Sequence, residues 1–99
     1  MEPSLSKAQR LRLPETLDLT FAGLLAASLL ALRGRELVVE ADGVRRVGAP
    51  CLQVIASACA TWNVDAVSFR IVQPSNEFNE TVSLLGINLG PQTHNEATS

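Results

Sequence analysis

The run from Leu19 to Leu32 is fourteen residues of mostly Leu and Ala with no charged side chain. A segment this apolar must be covered by something. A membrane-spanning helix needs roughly 20 apolar residues, and this run is shorter and interrupted by Gly23 and Ser28. A secretory leader begins with a short basic region, whereas the residues ahead of this run mix Glu2, Glu15 and Asp18 with Lys7, Arg10, Arg12 and Pro14. The segment therefore reads as a helix of a water-soluble core. Asp18 and Thr20 are both able to cap its start, and Phe21, Leu24, Leu25, Leu29 and Leu32 fall on one stripe. Gly34 supplies the stop. The other side, with Ala22, Ala26 and Leu30, is poor in charge and is expected to face a partner.

Around this helix the pattern alternates. Arg10-Leu11-Arg12-Leu13 is a short half-buried strand ended by Pro14. Glu36 to Ala41, with Leu37-Val38-Val39, predicts a central strand covered on both faces, and Asp42-Gly43 a bend after it. Gly48-Ala49-Pro50 opens a second helix, where a proline near the start loses no hydrogen bond. Leu52, Ile55, Ala56, Cys59 and Trp62 keep its 3.6 period, with Gln53, Ser57 and Ala60 on the far side. Asp65 to Val72 reads as a strand with Val67, Phe69 and Ile71 on one face. Ser75 caps a third helix with Glu77 in its first turn, Phe78, Val82 and Leu85 pointing inward, and Gly86 ending it. Strand, helix, strand, helix, strand, helix implies a small sheet covered by helices.

The 99 residues allow one domain, and 46% hydrophobic against 18% charged is the composition of a folded chain. Net charge is −2, without the basic surface that nucleic acids require. One His, two Cys and no Tyr leave little from which to build an enzyme, and no cofactor or metal site is expected. His94, between Thr93 and Asn95, reads as a solvated tail residue, and Asn95 to Ser99 as frayed. Cys51 and Cys59 are eight apart on one helix, a rise of about 12 Å that no disulfide bridges. Two unpaired thiols fit a reducing, cytoplasmic compartment. Cys51, in the first turn of the second helix, is either a thiol activated by the helix dipole or a small buried hydrophobe, and the second is the better reading. Arg45 and Arg46, just ahead of the same helix, could hold an anion with free backbone N–H groups, or be simply solvated. Asn79-Glu80-Thr81 matches a glycosylation triplet by accident, since no secretory route is read.

The stretch Leu37-Val38-Val39-Glu40-Ala41-Asp42-Gly43-Val44-Arg45-Arg46-Val47-Gly48-Ala49-Pro50-Cys51-Leu52-Gln53-Val54-Ile55 resembles the signature of the STAS domain, the anti-sigma-factor-antagonist-like family. There a buried strand runs through a loop written D-S-S-G into an amphipathic helix. Leu13 to Leu19, Leu30 to Gly34, Phe69-Arg70-Ile71-Val72 with Pro74-Ser75, and Leu84-Leu85-Gly86 fit the same pattern. The resemblance covers residues 10 to 88 and implies an α/β fold, a small mixed sheet with helices packed on it. It sets residues 1–9 and 89–99 apart as flexible ends. One departure matters: where the family has D-S-S-G, this chain has Gly48-Ala49-Pro50-Cys51. The phosphorylatable Ser falls on Pro50, so a switch that adds phosphate there is excluded. Ser57 and Thr61 carry the next hydroxyls along the helix.

What the resemblance implies for function is a docking mode, in which the loop and helix start present a surface to a signalling protein. That surface would be Ala49, Pro50, Gln53, Ser57 and Ala60, with Arg45 and Arg46 beside it. The Leu-Pro-x-x-Leu-Asp-Leu opening resembles small stand-alone STAS proteins of bacterial chemotaxis systems. The implied role is a non-enzymatic adaptor that binds the histidine kinase and modulates phosphoryl flow to or from response regulators, without nucleic acid and without inserting in a membrane. The alternatives are an anti-sigma-factor antagonist and a subunit on the ATPase of a phospholipid transporter.

Overall fold

Residues 8–87 and 89 are described by a computed structural model of the chain. Arg10-Leu11-Arg12 lies in β1 (Gln9–Arg12), and Leu13 turns into the core just past it. A two-residue strand β2 (Thr16–Leu17) leads directly into α1 (Leu19–Ala31). Then follow β3 (Leu37–Glu40), β4 (Arg46–Val47), α2 (Ala49–Val64), β5 (Phe69–Val72) and α3 (Asn76–Leu85). β1, β3 and β5 form a three-stranded sheet in that order, and β2 pairs with β4 separately. All three ladders are parallel. The resemblance implies a mixed sheet, but no antiparallel pair occurs among the described residues. Each pair of neighbouring strands is separated along the chain by at least one helix, which returns the second strand in the direction of the first.

β3 is covered on one face only, which corrects the expectation of a strand buried on both. Leu37 and Val39 point into the core with Phe69 and Ile71, their register partners on β5. Val38 and Glu40 point the other way, into register with Arg10 and Arg12 of β1. There Arg10 Nη1 lies 2.7 Å from Glu40 Oε2, and Arg12 Nη1 lies 2.9 Å from Asp42 Oδ1. The acids at Glu36 and Glu40 share the Val38 side of the strand, and Glu40 meets the solvated arginines of β1 there, so this face is the one turned to water.

The capping signals hold. Asp18 accepts from the Phe21 N–H at 3.2 Å and from the Thr20 hydroxyl at 2.6 Å, so its side chain begins α1. The Thr20 hydrogen bond, helped by the Phe21 N–H, holds the Asp18 carboxyl below its ordinary range. Ser75 accepts from the Phe78 N–H and donates to the Val44 carbonyl at 2.6 Å, tying α3 to the segment ahead of β4. Gly86 ends α3 in the left-handed region, φ 66°, where a Cβ is strained.

Two inward-pointing assignments fail. Leu24 is 66% exposed and Leu85 47% exposed. α1 packs on one side only, and Leu24 lies about 100° round the helix from Leu25, outside the buried arc; Leu85, the last residue of α3, is half-exposed while the core continues past it through Ile87 and Leu89. The strand expected over Asp65 to Val72 begins only at Phe69, because Asp65 and Ala66 complete the turn that closes α2, with Ala66 at φ 59°. The central packing is α2 on the inner sheet face: Leu52, Ile55, Cys59 and Trp62 are buried with Leu37, Val39, Phe69 and Ile71. Trp62 meets Phe69 edge to face at 5.4 Å and donates from Nε1 to the Arg35 carbonyl at 2.7 Å. Leu89 is buried in the same core. His94 and the other expectations for residues 1–7 and 90–99 lie outside the described residues.

Candidate protein-docking site

The entrance to α2 is shaped by a close approach of backbone to backbone. Gly48, its N-cap, donates its N–H to the Leu17 carbonyl at 2.7 Å, extending the short β2–β4 ladder. A Cβ at position 48 would stand 3.1 Å from that same oxygen and 3.7 Å from Pro50 Cδ. A side chain at position 48 would therefore crowd the Leu17 carbonyl. Pro50 follows in the first turn of α2, exposed and without a hydroxyl.

Neither α1 nor α2 contains an Asp, Glu, Lys or Arg. The two helices pack side by side, and between them runs an open groove of about 490 Å³. One wall comes from Ala22, Ala26 and Leu30 of α1 and the other from Pro50, Gln53, Val54, Ser57 and Thr61 of α2. Leu29, Ala58 and Trp62 lie at its base, joining the groove to the core. Arg33 stands at one end, with its Nε 2.9 Å from Asp65 Oδ2. This ion pair holds the Asp65 carboxyl below its ordinary range, chiefly through the hydrogen bond from Arg33. The charge at the groove end is thus already neutralised.

The sequence-derived surface residues divide. Pro50, Gln53 and Ser57 line the groove together with Ala22, Ala26 and Leu30, so two charge-poor faces read separately along the chain form one surface. Ala49 is half-buried at the helix start, and Ala60 is exposed on α2 outside the groove lining. Arg45 and Arg46 are exposed ahead of the helix. Their backbone N–H groups both donate to the Glu15 carbonyl, at 2.7 and 3.1 Å, and Arg45 Nε lies 3.8 Å from Glu15 Oε2. Those two N–H groups are therefore not free to hold an anion. Val54, Thr61 and Arg33 complete the lining; periodicity places Val54 and Thr61 on α2, but only the α1–α2 packing shows what they face.

The thiols follow the inert reading. Cys51 is buried and its Sγ lies 3.2 Å from the Asp18 carbonyl as donor. Burial, then the Asp18 carboxylate, push its pKa up from 9.0, against the activation that a helix start would give an exposed thiol. Burial pushes the Cys59 thiol up to about 12. Among the described residues no three His, Cys, Asp or Glu side chains gather as a metal site, and no helix is long and apolar enough to cross a membrane.

A family model described as "Mlab, STAS domain" matches residues 2–89. No curated protein and no solved structure gives a significant match to the chain.

Proposed function

The chain belongs to the STAS domain family, and on that premise we propose that it is a non-enzymatic interaction adaptor of the anti-sigma-factor-antagonist-like kind, docking its partner on the groove between α1 and α2. The observation that carries this reading is the groove itself. Protein-interaction surfaces are depleted of charge at their centre and rimmed by polar groups. Here Leu30 is 70% exposed beside Ala22 and Ala26, with Gln53, Ser57 and Thr61 supplying hydrogen-bonding groups on the opposite wall. The groove is open and lined mostly by apolar side chains, which suits an apolar helix face.

The partner in this reading is a cytoplasmic chemotaxis histidine kinase, whose phosphoryl flow to or from response regulators the adaptor modulates. The support is the Leu-Pro-x-x-Leu-Asp-Leu opening and the proline at position 50. A conventional antagonist is released when phosphate is added at the start of this helix, and Pro50 offers no acceptor. The groove does hold two hydroxyls, Ser57 and Thr61. Phosphate on either would set a charge near −2 among apolar side chains and expel a docked helix.

The test is a titration of the immobilised chain with a purified chemotaxis kinase, an anti-sigma factor and the ATPase of a phospholipid transporter. Saturable binding of the kinase alone is expected, and saturation by either of the others overturns the choice of partner. Gln53→Glu and Ser57→Arg should abolish the interaction with the thermal melt unchanged. Unaltered affinity in both removes the groove as the docking site. Phosphoprotein formed with an anti-sigma kinase and ATP would replace the adaptor reading by the antagonist one.

A further inference from the structure

We propose that the free edge of β1 is a second interface, on which an extended segment of a partner protein, acidic and apolar at alternate residues, adds as a further strand of the sheet. This edge borders the flank of α1 that carries Phe21 and Ser28, whereas the docking groove borders the flank that carries Ala22, Ala26 and Leu30. The two surfaces can be occupied together, and neither depends on the other.

The backbone supplies the first argument. β1 is the outermost strand of its sheet, and among the described residues no strand stands beyond it. Gln9 donates its N–H to the Glu36 carbonyl at 2.8 Å, and Leu13 donates to the Glu40 carbonyl at 2.9 Å. Residues that bond across a parallel ladder alternate along the strand. Gln9, Leu11 and Leu13 therefore turn their backbone toward β3, and the N–H and C=O groups of Arg10 and Arg12 point out of the sheet. Pro14 takes the next outward position and has no N–H, so the free edge ends with β1. A row of outward donors and acceptors of this kind is what an added strand binds.

The side chains on either face state what that strand must carry, because its own side chains alternate between the faces. On the inner face the edge is bordered by an open groove of about 560 Å³ between β1 and α1, with Leu11, Leu13, Phe21 and Ser28 in its lining. Leu11 and Phe21 are only half-buried there, so the inward positions of the segment are apolar. On the outer face stand Arg10 and Arg12, with side chains 64% and 58% exposed. Their acids, Glu40 and Asp42, come from β3 and the bend after it, on the side away from the free edge. A guanidinium has more N–H donors than one carboxylate engages, and both arginines can take a second acid from the edge side. Glu15, the acid in the groove lining, lies past Pro14 and 3.8 Å from Arg45. The outward positions of the segment are thus Asp or Glu, since opposite charges on neighbouring strands attract.

The same arginines turn away a second copy of this chain. In any register that keeps the inner faces of two β1 strands continuous, Arg10 and Arg12 share one face with the arginines of the copy and repel them. The edge is guarded against itself and open to the opposite sign.

The experiment is an NMR titration of the isotope-labelled full chain with short synthetic peptides. Glu-Val-Glu-Val-Glu should shift the amides of Arg10, Leu11, Arg12, Phe21 and Ser28 saturably. It should also slow solvent exchange of the Arg10 and Arg12 N–H groups by roughly tenfold, the effect of one or two new hydrogen bonds. Lys-Val-Lys-Val-Lys should move none of them. The acidic peptide N-methylated at every backbone nitrogen keeps its charge but offers no N–H, and should bind roughly tenfold more weakly. Arg10→Gln, which leaves a polar side chain on the solvated face, should weaken the acidic peptide about threefold. Circular dichroism establishes that this variant is folded, and the peptide series on the unaltered chain decides the matter if it is not. The proposal is overturned by the absence of saturable shifts, by equal binding of the lysine or the N-methylated peptide, or by a folded Arg10→Gln of unaltered affinity. Shifts that gather on Gln53 and Ser57 instead, or Arg10 and Arg12 amides that exchange freely at saturation, overturn it as well. Kinase binding is read on the α1–α2 groove, so failure at this edge leaves the adaptor reading to its own titration.

Discussion

Adding one methyl group at the entrance of α2 tests whether glycine at position 48 is a steric necessity. Gly48→Ala keeps an allowed backbone, since φ is −104° and ψ 152°, and shortening the list of unfolded conformations would by itself stabilise the chain by about 0.4–1 kcal/mol. Against this stands the contact at 3.1 Å between the new Cβ and the Leu17 oxygen. That oxygen belongs to backbone, is held by the Gly48 N–H at 2.7 Å, and sits in a strand paired to β4. It cannot swing aside as a flexible side chain would, so the helix start must shift. Overpacking of this kind costs about 1–3 kcal/mol. The steric effect wins, and Gly48→Ala should destabilise by about 1 kcal/mol. Gly48→Asp meets the same oxygen but gains an N-cap side chain worth about a few tenths of a kcal/mol over glycine. It should fall between wild type and Gly48→Ala. Urea unfolding followed by circular dichroism gives both values. A Gly48→Asp variant more stable than wild type would refute the claim that glycine is required here by the approach of Leu17.

Trp62→Phe should cost about 2 kcal/mol in the same assay. It removes the hydrogen bond to the Arg35 carbonyl, leaves that oxygen without its partner, and opens space at the base of the groove beside Phe69; a loss below about 0.5 kcal/mol would show that water replaces the indole. Stability should also decline at alkaline pH. The Cys59 thiol stays protonated in the folded chain up to about 12 but ionises near 9.0 once unfolded, so the unfolded state binds fewer protons across that window. Its contribution is complete below about pH 9 and is lost as pH rises toward 12, at up to about 1.4 kcal/mol per unit. Cys59→Ala should flatten that limb of a pH series of melts; an unchanged slope would assign it to other groups.

Much of the site is readable along the chain because its two walls are each periodic. Ala22, Ala26 and Leu30 recur at four-residue steps, and Gln53 and Ser57 do the same, so each charge-poor face is visible in a helical projection. That the faces meet is not visible, since it depends on α1 and α2 packing side by side, and no residue spacing within either helix encodes that. In β3 three apolar residues in a row suggest two buried faces, while Glu36 and Glu40, at the same parity as Val38, mark the side that meets Arg10 and Arg12 in the fold. Pro50 shows the converse: that position 50 carries no hydroxyl is complete in the sequence and needs no coordinates.

Local chemistry determined the caps at Asp18, Ser75 and Gly86, the placement of three helices and three main strands, and the exclusion of a phosphate switch at position 50. Each rests on interactions within a few residues, which a linear pattern records in full. Tertiary structure alone decided the parallel order β1, β3, β5 and the joining of α1 and α2 into one uncharged groove. These depend on which apolar surfaces meet across long stretches of chain, and burial of apolar area is non-directional, so many pairings satisfy the same sequence pattern until the whole core is packed.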